Sequence, residues 1–321
     1  MSDQASLHAS KGWVVSAPQS GMRLDRFAHL VLPQLSRRQL ERAIRGKSFL
    51  VNGRPCLKGE RLRARDVVQF AGPELLLAEA PPPNFGLEVP IVYEDGDLVV
   101  LDKPAGLDTH GFSGRDTRTL ASFLAARRPE TQNAGGNRWE SGLIHRLDRE
   151  TSGLIVAAKT RAAYQALRTA FATRRVRKRY WALVSGKTPA RGRISYPLAH
   201  APRDSRRMVA IVPGGRQLTG RKRWPAVTRY RVAARFRDAT LLRVEMETGV
   251  THQIRAHLAA IGHPIVGDRT YGGAEHPALG RHFLHAFELE LPHPSTGKRL
   301  TVRSPLPADL EEFVSRLRAG D

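Results

Sequence analysis

The chain has 321 residues, 41% of them hydrophobic and 26% charged, with 52 Lys and Arg against 30 Asp and Glu for a formal net charge of +22. That composition excludes a disordered basic tail, which would lack core-forming residues, and the charge favours a polyanionic partner. A single cysteine, Cys56, excludes an internal disulfide framework and a multi-cysteine metal site, and fits a reducing compartment.

The first 20 residues read as a polar tail without an apolar run of signal-peptide length, and nowhere do about 18 apolar residues follow one another. A cytoplasmic, monomeric protein that does not enter a membrane is expected. Over 23–32, Leu24, Phe27, Ala28 and Val31 recur at helical spacing until Pro33 ends the run. Ser36 with Gln39 reads as a capping box that opens a second helix, with Leu40 and Ile44 on its apolar face and Gly46 as its stop. This helix and its flank carry Arg37, Arg38, Arg42, Arg45 and Lys47, a face suited to a phosphate backbone. Phe49, Leu50 and Val51 run into Asn52-Gly53, a hairpin signal, and 67–70 reads as another short strand.

Arg23-Leu24-Asp25, Ser36-Arg37-Arg38 and Val51-Asn52-Gly53 together resemble the S-four-type RNA-binding domain, a small αL-type fold, over residues 21 to about 70. Residues 78–86, with three consecutive prolines, then read as an extended linker. The expected organisation is a tail over 1–20, an RNA-binding domain over 21–77, a Pro-rich linker over 78–88 and a larger domain over 89–321.

From Ile91 onward short apolar strands alternate with turns: Ile91-Val92-Tyr93, Leu98-Val99-Val100-Leu101, Leu143-Ile144, Leu154-Ile155-Val156 and the alternating Leu242, Val244 and Met246. Helical patterns intervene at 160–175 and 251–261. No Gly-rich phosphate loop follows a strand, which disfavours Rossmann and P-loop folds, and an α+β domain on a mixed, largely antiparallel sheet is predicted. The charge is uneven: residues 151–237 hold 22 Lys and Arg and one acid, Asp204, for a net +21. A solvated face would interleave acids with bases, so this stretch points to nucleic acid. Within it, residues 201–224 form a Gly- and Arg-rich insertion, read either as an arm that closes over RNA or as a plain basic loop.

The segment from His145 to Gly153 places Asp148 between Arg146 and Arg149, which would hold its carboxyl ionised and suit an anionic substrate; taken alone, it also fits a structural Asp–Arg pair. In Arg179-Tyr180-Trp181 a basic run becomes a strand, so Tyr180 is placed to stack on a base, or is an ordinary strand residue facing the core. Thr251-His252-Gln253-Ile254-Arg255 enters a helix with an apolar stripe of Ile254, Leu258 and Ile261, and His252 and Arg255 lie on neighbouring faces. His252, His257, His282 and His285 lack the spacing with glutamate that a zinc hydrolase uses, and no Gly-x-Ser-x-Gly turn is present, so neither a catalytic metal nor a serine triad is expected.

These segments, with Lys103-Pro104-Ala105-Gly106, His263-Pro264-Ile265-Val266-Gly267-Asp268 and Tyr271-Gly272-Gly273, occur in the order found in the RluA family of RNA pseudouridine synthases, which the chain resembles over residues 89 to about 310. The resemblance implies the pseudouridine synthase fold, a sheet with flanking helices and a central cleft, working without cofactor or metal on RNA. It implies that Asp148 is the essential aspartate, Tyr180 the active-site tyrosine, Arg255 the basic partner of the aspartate, and Arg146 an aid to displacing the target base. His145, Thr251, His252, Gln253 and Lys103 come from the same motifs as candidate RNA contacts, beside Arg37, Arg38 and Arg42 of the small domain. Val250 departs from the pattern, which usually has Arg there. The expected activity is isomerisation of uridine to pseudouridine, in large-subunit (23S) ribosomal RNA; transfer RNA as target and a catalytically silent RNA-binding or assembly factor are the alternatives.

Overall fold

The computed structural model describes residues 11–320 except 34, 36, 73–79, 112–115, 137, 203, 205 and 215–219. The small domain comprises β1 (Lys11–Val14), α1 (Leu24–Val31), α2 (Arg37–Arg45), β2 (Phe49–Val51), β3 (Arg54–Pro55) and β4 (Val67–Phe70), with the strands in the order β1-β4-β2-β3. The apolar spacing of the two helices places Leu24, Phe27, Leu40 and Ile44 in one core with Phe49, Val51, Val68 and Phe70, where the Phe49 and Phe70 rings meet edge-on at 5.0 Å. Asn52 and Gly53 both have positive φ, 51° and 77°, as a two-residue hairpin turn requires.

Two expectations for this region are corrected. Residues 11–20 are not a tail: β1 pairs antiparallel with β4 and Val15 is buried in the core. The strand is specified by the open edge of β4, which offers unpaired backbone groups, rather than by a pattern within four residues. The cap at Ser36 and the side chains of Arg37, Arg38 and Arg42 lie outside the described residues. Past residue 79, the Pro-rich segment is extended but not a free spacer. Asn84 donates through its backbone to Ser122 O at 3.1 Å and through Nδ2 to Thr117 O at 3.1 Å, and Phe85 O accepts from Arg127.

The large domain runs β5 (Ile91–Glu94), β6 (Leu98–Lys103), α3 (Leu120–Arg127), α4 (Thr131–Ala134), β7 (Ser152–Ala158), α5 (Arg161–Ala172), β8 (Arg177–Ser185), β9 (Arg191–Ile194), β10 (Leu198–His200), β11 (Met208–Ala210), β12 (Thr228–Arg235), β13 (Ala239–Met246), α6 (Gln253–Ala260), β14 (Leu284–Pro292), β15 (Arg299–Arg303) and α7 (Ala308–Ala319). One sheet has the order β5-β6-β7-β14-β8-β13-β12-β9, with β15 on the far half of β14. Its neighbours are antiparallel except β7 and β14, which run parallel over His285–Ser152 and Ala286–Gly153. The fold is therefore α+β on a mixed, largely antiparallel sheet with flanking helices, as predicted. Leu143 and Ile144 do not form the expected strand; Leu143 makes a single bridge to Ala157.

Strand alternation sorts the sheet into two faces. Tyr180, Val244 and Tyr230, in register across β8, β13 and β12, belong to the core that also takes Ile254 and Leu258 from α6. The intervening residues, Arg179 and Trp181, Arg243 and Glu245, Arg229 and Arg231, Arg191 and Arg193, lie on the opposite face. The described part of the 201–224 insertion is anchored. β10 and β11 pair as a ribbon, Trp224 bridges to Leu198, and Met208 is buried.

Candidate active site

Asp148 sits in the loop between Leu143 and β7, and that loop is held by its backbone. Thr109 Oγ1 donates to Leu147 O at 2.8 Å and accepts from Leu147 N at 3.2 Å. Arg281, bidentate on Asp309 of α7, donates to Glu150 O at 3.1 Å. Lys103 is fully buried and its ammonium donates to the carbonyls of Pro104, Leu107 and Arg149 at 2.9, 2.8 and 3.0 Å. The loop ends where Gly153 enters β7 with φ of +115°; a Cβ there would stand 2.3 Å from Ala286 O, so glycine is required for β7 to lie against β14. The carbonyls of Leu147, Arg149 and Glu150, which flank Asp148, thus each have a donor from another part of the fold.

Around the carboxylate, Arg255 Nη1 donates to Asp148 Oδ2 at 2.9 Å. Arg255 has no freedom to leave: its Nε and Nη2 grip Asp268 at 2.7 and 2.9 Å, and its guanidinium lies over the Tyr271 ring at 5.1 Å. Asp268 is 1% exposed and also accepts from the amides of Thr270 and Tyr271. His252 precedes α6 with φ of 54°, a left-handed conformation that costs about 1–3 kcal/mol. That turn brings its Nε2 to 3.7 Å from Asp148 Oδ1 and its Nδ1 to 3.1 Å from Tyr271 Oη. α6 itself is started by Gln253, whose side chain accepts from Thr248 and the Val250 amide and donates to Val227 O and Thr228 Oγ1.

The electrostatics follow. Burial opposes ionisation of Asp148, but in the acid range where it titrates, positive charge at His252, Arg255 and His282, with the Arg255 hydrogen bond, outweighs it and holds the carboxyl below its usual 3.8. Burial also drives His252 down and His282 down to about 4, so near neutral pH both imidazoles are uncharged and Arg255 is the standing cation. Tyr180, 4% exposed, is raised by burial and then by the Asp148 charge, so its phenol stays protonated.

Asp148, Tyr180 and Arg255 share one cleft of about 480 Å³, with Arg146, Thr251 and His252 also on its wall. Arg146 and Thr251 are exposed there. Two predicted RNA contacts are not available for that role. The ammonium of Lys103 is spent on carbonyls, and both ends of Gln253 are consumed within the turn before α6. His145 is on the cleft wall, half-buried; it stacks on Phe171 with ring centroids 5.0 Å apart and accepts from the Val156 amide at 3.3 Å, and burial pushes it down to about 3. The positions of Lys103 and Gln253 in the motifs reflect support of the site. Val250, where the family pattern usually has arginine, packs against the cluster of Leu198, Met208, Ala226 and Tyr271. An apolar residue suits that contact with the insertion. Sequence reasoning gave no role to Asp268, Tyr271, Thr109 or Arg281. Asp268 closes the His263–Asp268 motif, but only the fold shows that this acid points inward at Arg255.

Lys103 offers a direct test. Burial lowers its pKa to about 7 against the opposing pull of Glu150, Asp108 and Asp148, whereas an unfolded lysine titrates near 10.5. The unfolded chain binds more protons between these values, so this group adds stability as pH rises from about 7 to about 10.5. In denaturant titrations the wild type should gain stability relative to Lys103→Met across that window. The variant's kcat should fall about 10- to 100-fold as the loop loosens. A stability difference independent of pH, with full turnover, would refute this placement.

A clefted mixed sheet whose floor pairs a half-buried, ionised acid with an immobilised arginine is built for chemistry on a polar substrate, and the small domain and the local excess of arginine suit that substrate to being a polyanion. Comparison with known proteins is consistent with this. Residues 97–260 match the family model for RNA pseudouridylate synthase, and residues 22–68 match the S4 domain. An uncharacterized RNA pseudouridine synthase of Chloroflexus aurantiacus is 42% identical over 95% of this chain and 93% of its own length. The ribosomal large subunit pseudouridine synthase D of Pseudomonas aeruginosa is 38% identical over 93% and 92%. Among solved structures, human RNA pseudouridylate synthase domain containing 1 aligns with 74% of this chain and 97% of its own at 29% identity and a TM-score of 0.56. The chain belongs to the RNA pseudouridylate synthase family, and it carries an S4 domain ahead of the synthase domain.

Proposed function

We propose that this enzyme isomerises uridine to pseudouridine in large-subunit ribosomal RNA, with Asp148 as the acting carboxylate. The observation that carries the reading is the 2.9 Å contact of Asp148 with an Arg255 that Asp268 holds fixed, inside the cleft that also contains Tyr180. The ribosomal target is supported by relatives of matching length that bear that name, such as the Pseudomonas aeruginosa protein. The reaction breaks the N1–C1′ bond, turns the ring, forms C5–C1′, releases the C5 proton to solvent and leaves a proton on N1. Asp148, ionised and oriented, meets the positive charge at C1′ as the first bond breaks. Arg255 keeps that carboxylate from being protonated or rotating. Tyr180, held neutral, packs against the detached ring, and Arg146 at the cleft wall helps hold the uridine out of its stack, a displacement costing a few kcal/mol.

The test is release of tritium from transcribed large-subunit ribosomal RNA labelled at uracil C5. Release is expected from that RNA. Release from transfer RNA alone would move the target, and none from either would defeat the reading.

A further inference from the structure

The sheet face turned away from the cleft core carries a second feature. Arg193 lies directly opposite Arg229, and Arg191 opposite Arg231, on β9 and β12. Like charges facing each other across an antiparallel pair destabilise it. Arg231 also stands opposite Arg243 of β13, but elsewhere on the same face arginines are matched with acids. Arg179 meets Glu245 and Glu288, Arg243 meets Glu288, Arg303 meets Glu288 at 2.8 Å, and Arg299 meets Glu290 at 3.3 Å. Over β9 and β12, only Arg229 is paired, with Glu247, and among the described residues Arg191, Arg193 and Arg231 have no carboxylate partner. These arginines line a trough of about 900 Å³ that also takes in Arg174 and Arg177. Arg174, Val176, Met246 and Glu247 line both the trough and the cleft, so the two adjoin at the end of β8 and β13. From β8 to β9 is three strand spacings, about 14 Å.

We propose that the β9–β12 arginine pairs form a phosphate track for the strand of RNA that leaves the cleft beside the target uridine, passing Arg174 as it rounds the sheet. This rests on the reading of the chain as an RNA-uridine isomerase. The unpaired guanidiniums are stabilised when phosphates enter between them, which turns a repulsive surface into a complementary one.

The experiment compares the wild type with a triple variant, Arg191→Gln, Arg193→Gln and Arg231→Gln, by fluorescence anisotropy with labelled oligouridylate and with transcribed large-subunit ribosomal RNA over about 50–200 mM salt. The triple variant should bind both probes roughly tenfold or more weakly. Its slope of log affinity against log salt should be shallower by about 2, at about 0.7 for each phosphate no longer neutralised. Its melting temperature should not fall, because repulsion has been removed. Arg299→Gln with Arg303→Gln, exposed arginines of the same face that are paired with acids, should leave affinity and salt slope unchanged. Unchanged RNA binding by the triple variant would overturn the proposal, whether the trough is bare surface or docks an acidic protein. Tritium release by the wild type is scored separately, so failure of the track and failure of the isomerase reading give different results.

Discussion

Asp148→Asn is expected to eliminate tritium release, by at least about a thousandfold in kcat, while RNA affinity stays within a fewfold of the wild type. The amide keeps the size of the carboxylate and can still accept from Arg255 Nη1, and Arg255 retains its two bonds to Asp268, so the fold has little reason to change. What the amide lacks is the negative charge that meets C1′. RNA binding draws on arginines elsewhere, so affinity and turnover should separate. The measurement is a single-turnover tritium assay beside an RNA titration on the same preparation. Release at a wild-type rate by the asparagine variant would sink the role given to Asp148.

Asp268→Asn should be damaging in a different way. Asp268 is buried and accepts two bonds from an arginine that is itself 7% exposed, and removing one partner of a buried pair costs about 3–5 kcal/mol. A large fall in melting temperature is therefore expected. In the fraction that remains folded at low temperature, kcat should drop by about a hundredfold with little change in RNA affinity, because Arg255 can then turn away from Asp148. A purely structural role for Asp268 would lower stability and leave kcat per folded molecule intact, and that result would refute its role as a positioning residue.

The parts of this protein legible in the sequence are those whose signal is local. Helical spacing located α1, α2, α5 and α6, and Asn52-Gly53 announced a hairpin, because each is decided by neighbours along the chain. Asp148, Tyr180 and Arg255 each lie in a contiguous motif, and the fold brings all three into one cleft. Lys103 and Gln253 lie in the same motifs and read as RNA contacts, since a motif does not distinguish a side chain that faces a cleft from one that braces its wall. β1 was missed because its partner, β4, is more than 50 residues away in sequence. Asp268 carries no periodicity at all; its meaning depends on Arg255 having been aimed at it by a helix that begins with a glutamine knot.

The place of β14 in the sheet has a consequence for how the molecule is made. Asp148 precedes β7 and Tyr180 lies on β8, yet these strands do not touch: β14 lies between them, parallel to one and antiparallel to the other. β14 is the second-to-last strand in the chain, synthesised after every residue proposed for the chemistry. As the polypeptide leaves the ribosome, the halves that carry Asp148 and Tyr180 stay unjoined until β14 has been made, after every residue proposed for the chemistry. A nascent chain that stops short of β14 can own all three residues and still hold no site, so RNA meets an assembled cleft only once β14 has joined the two halves of the sheet.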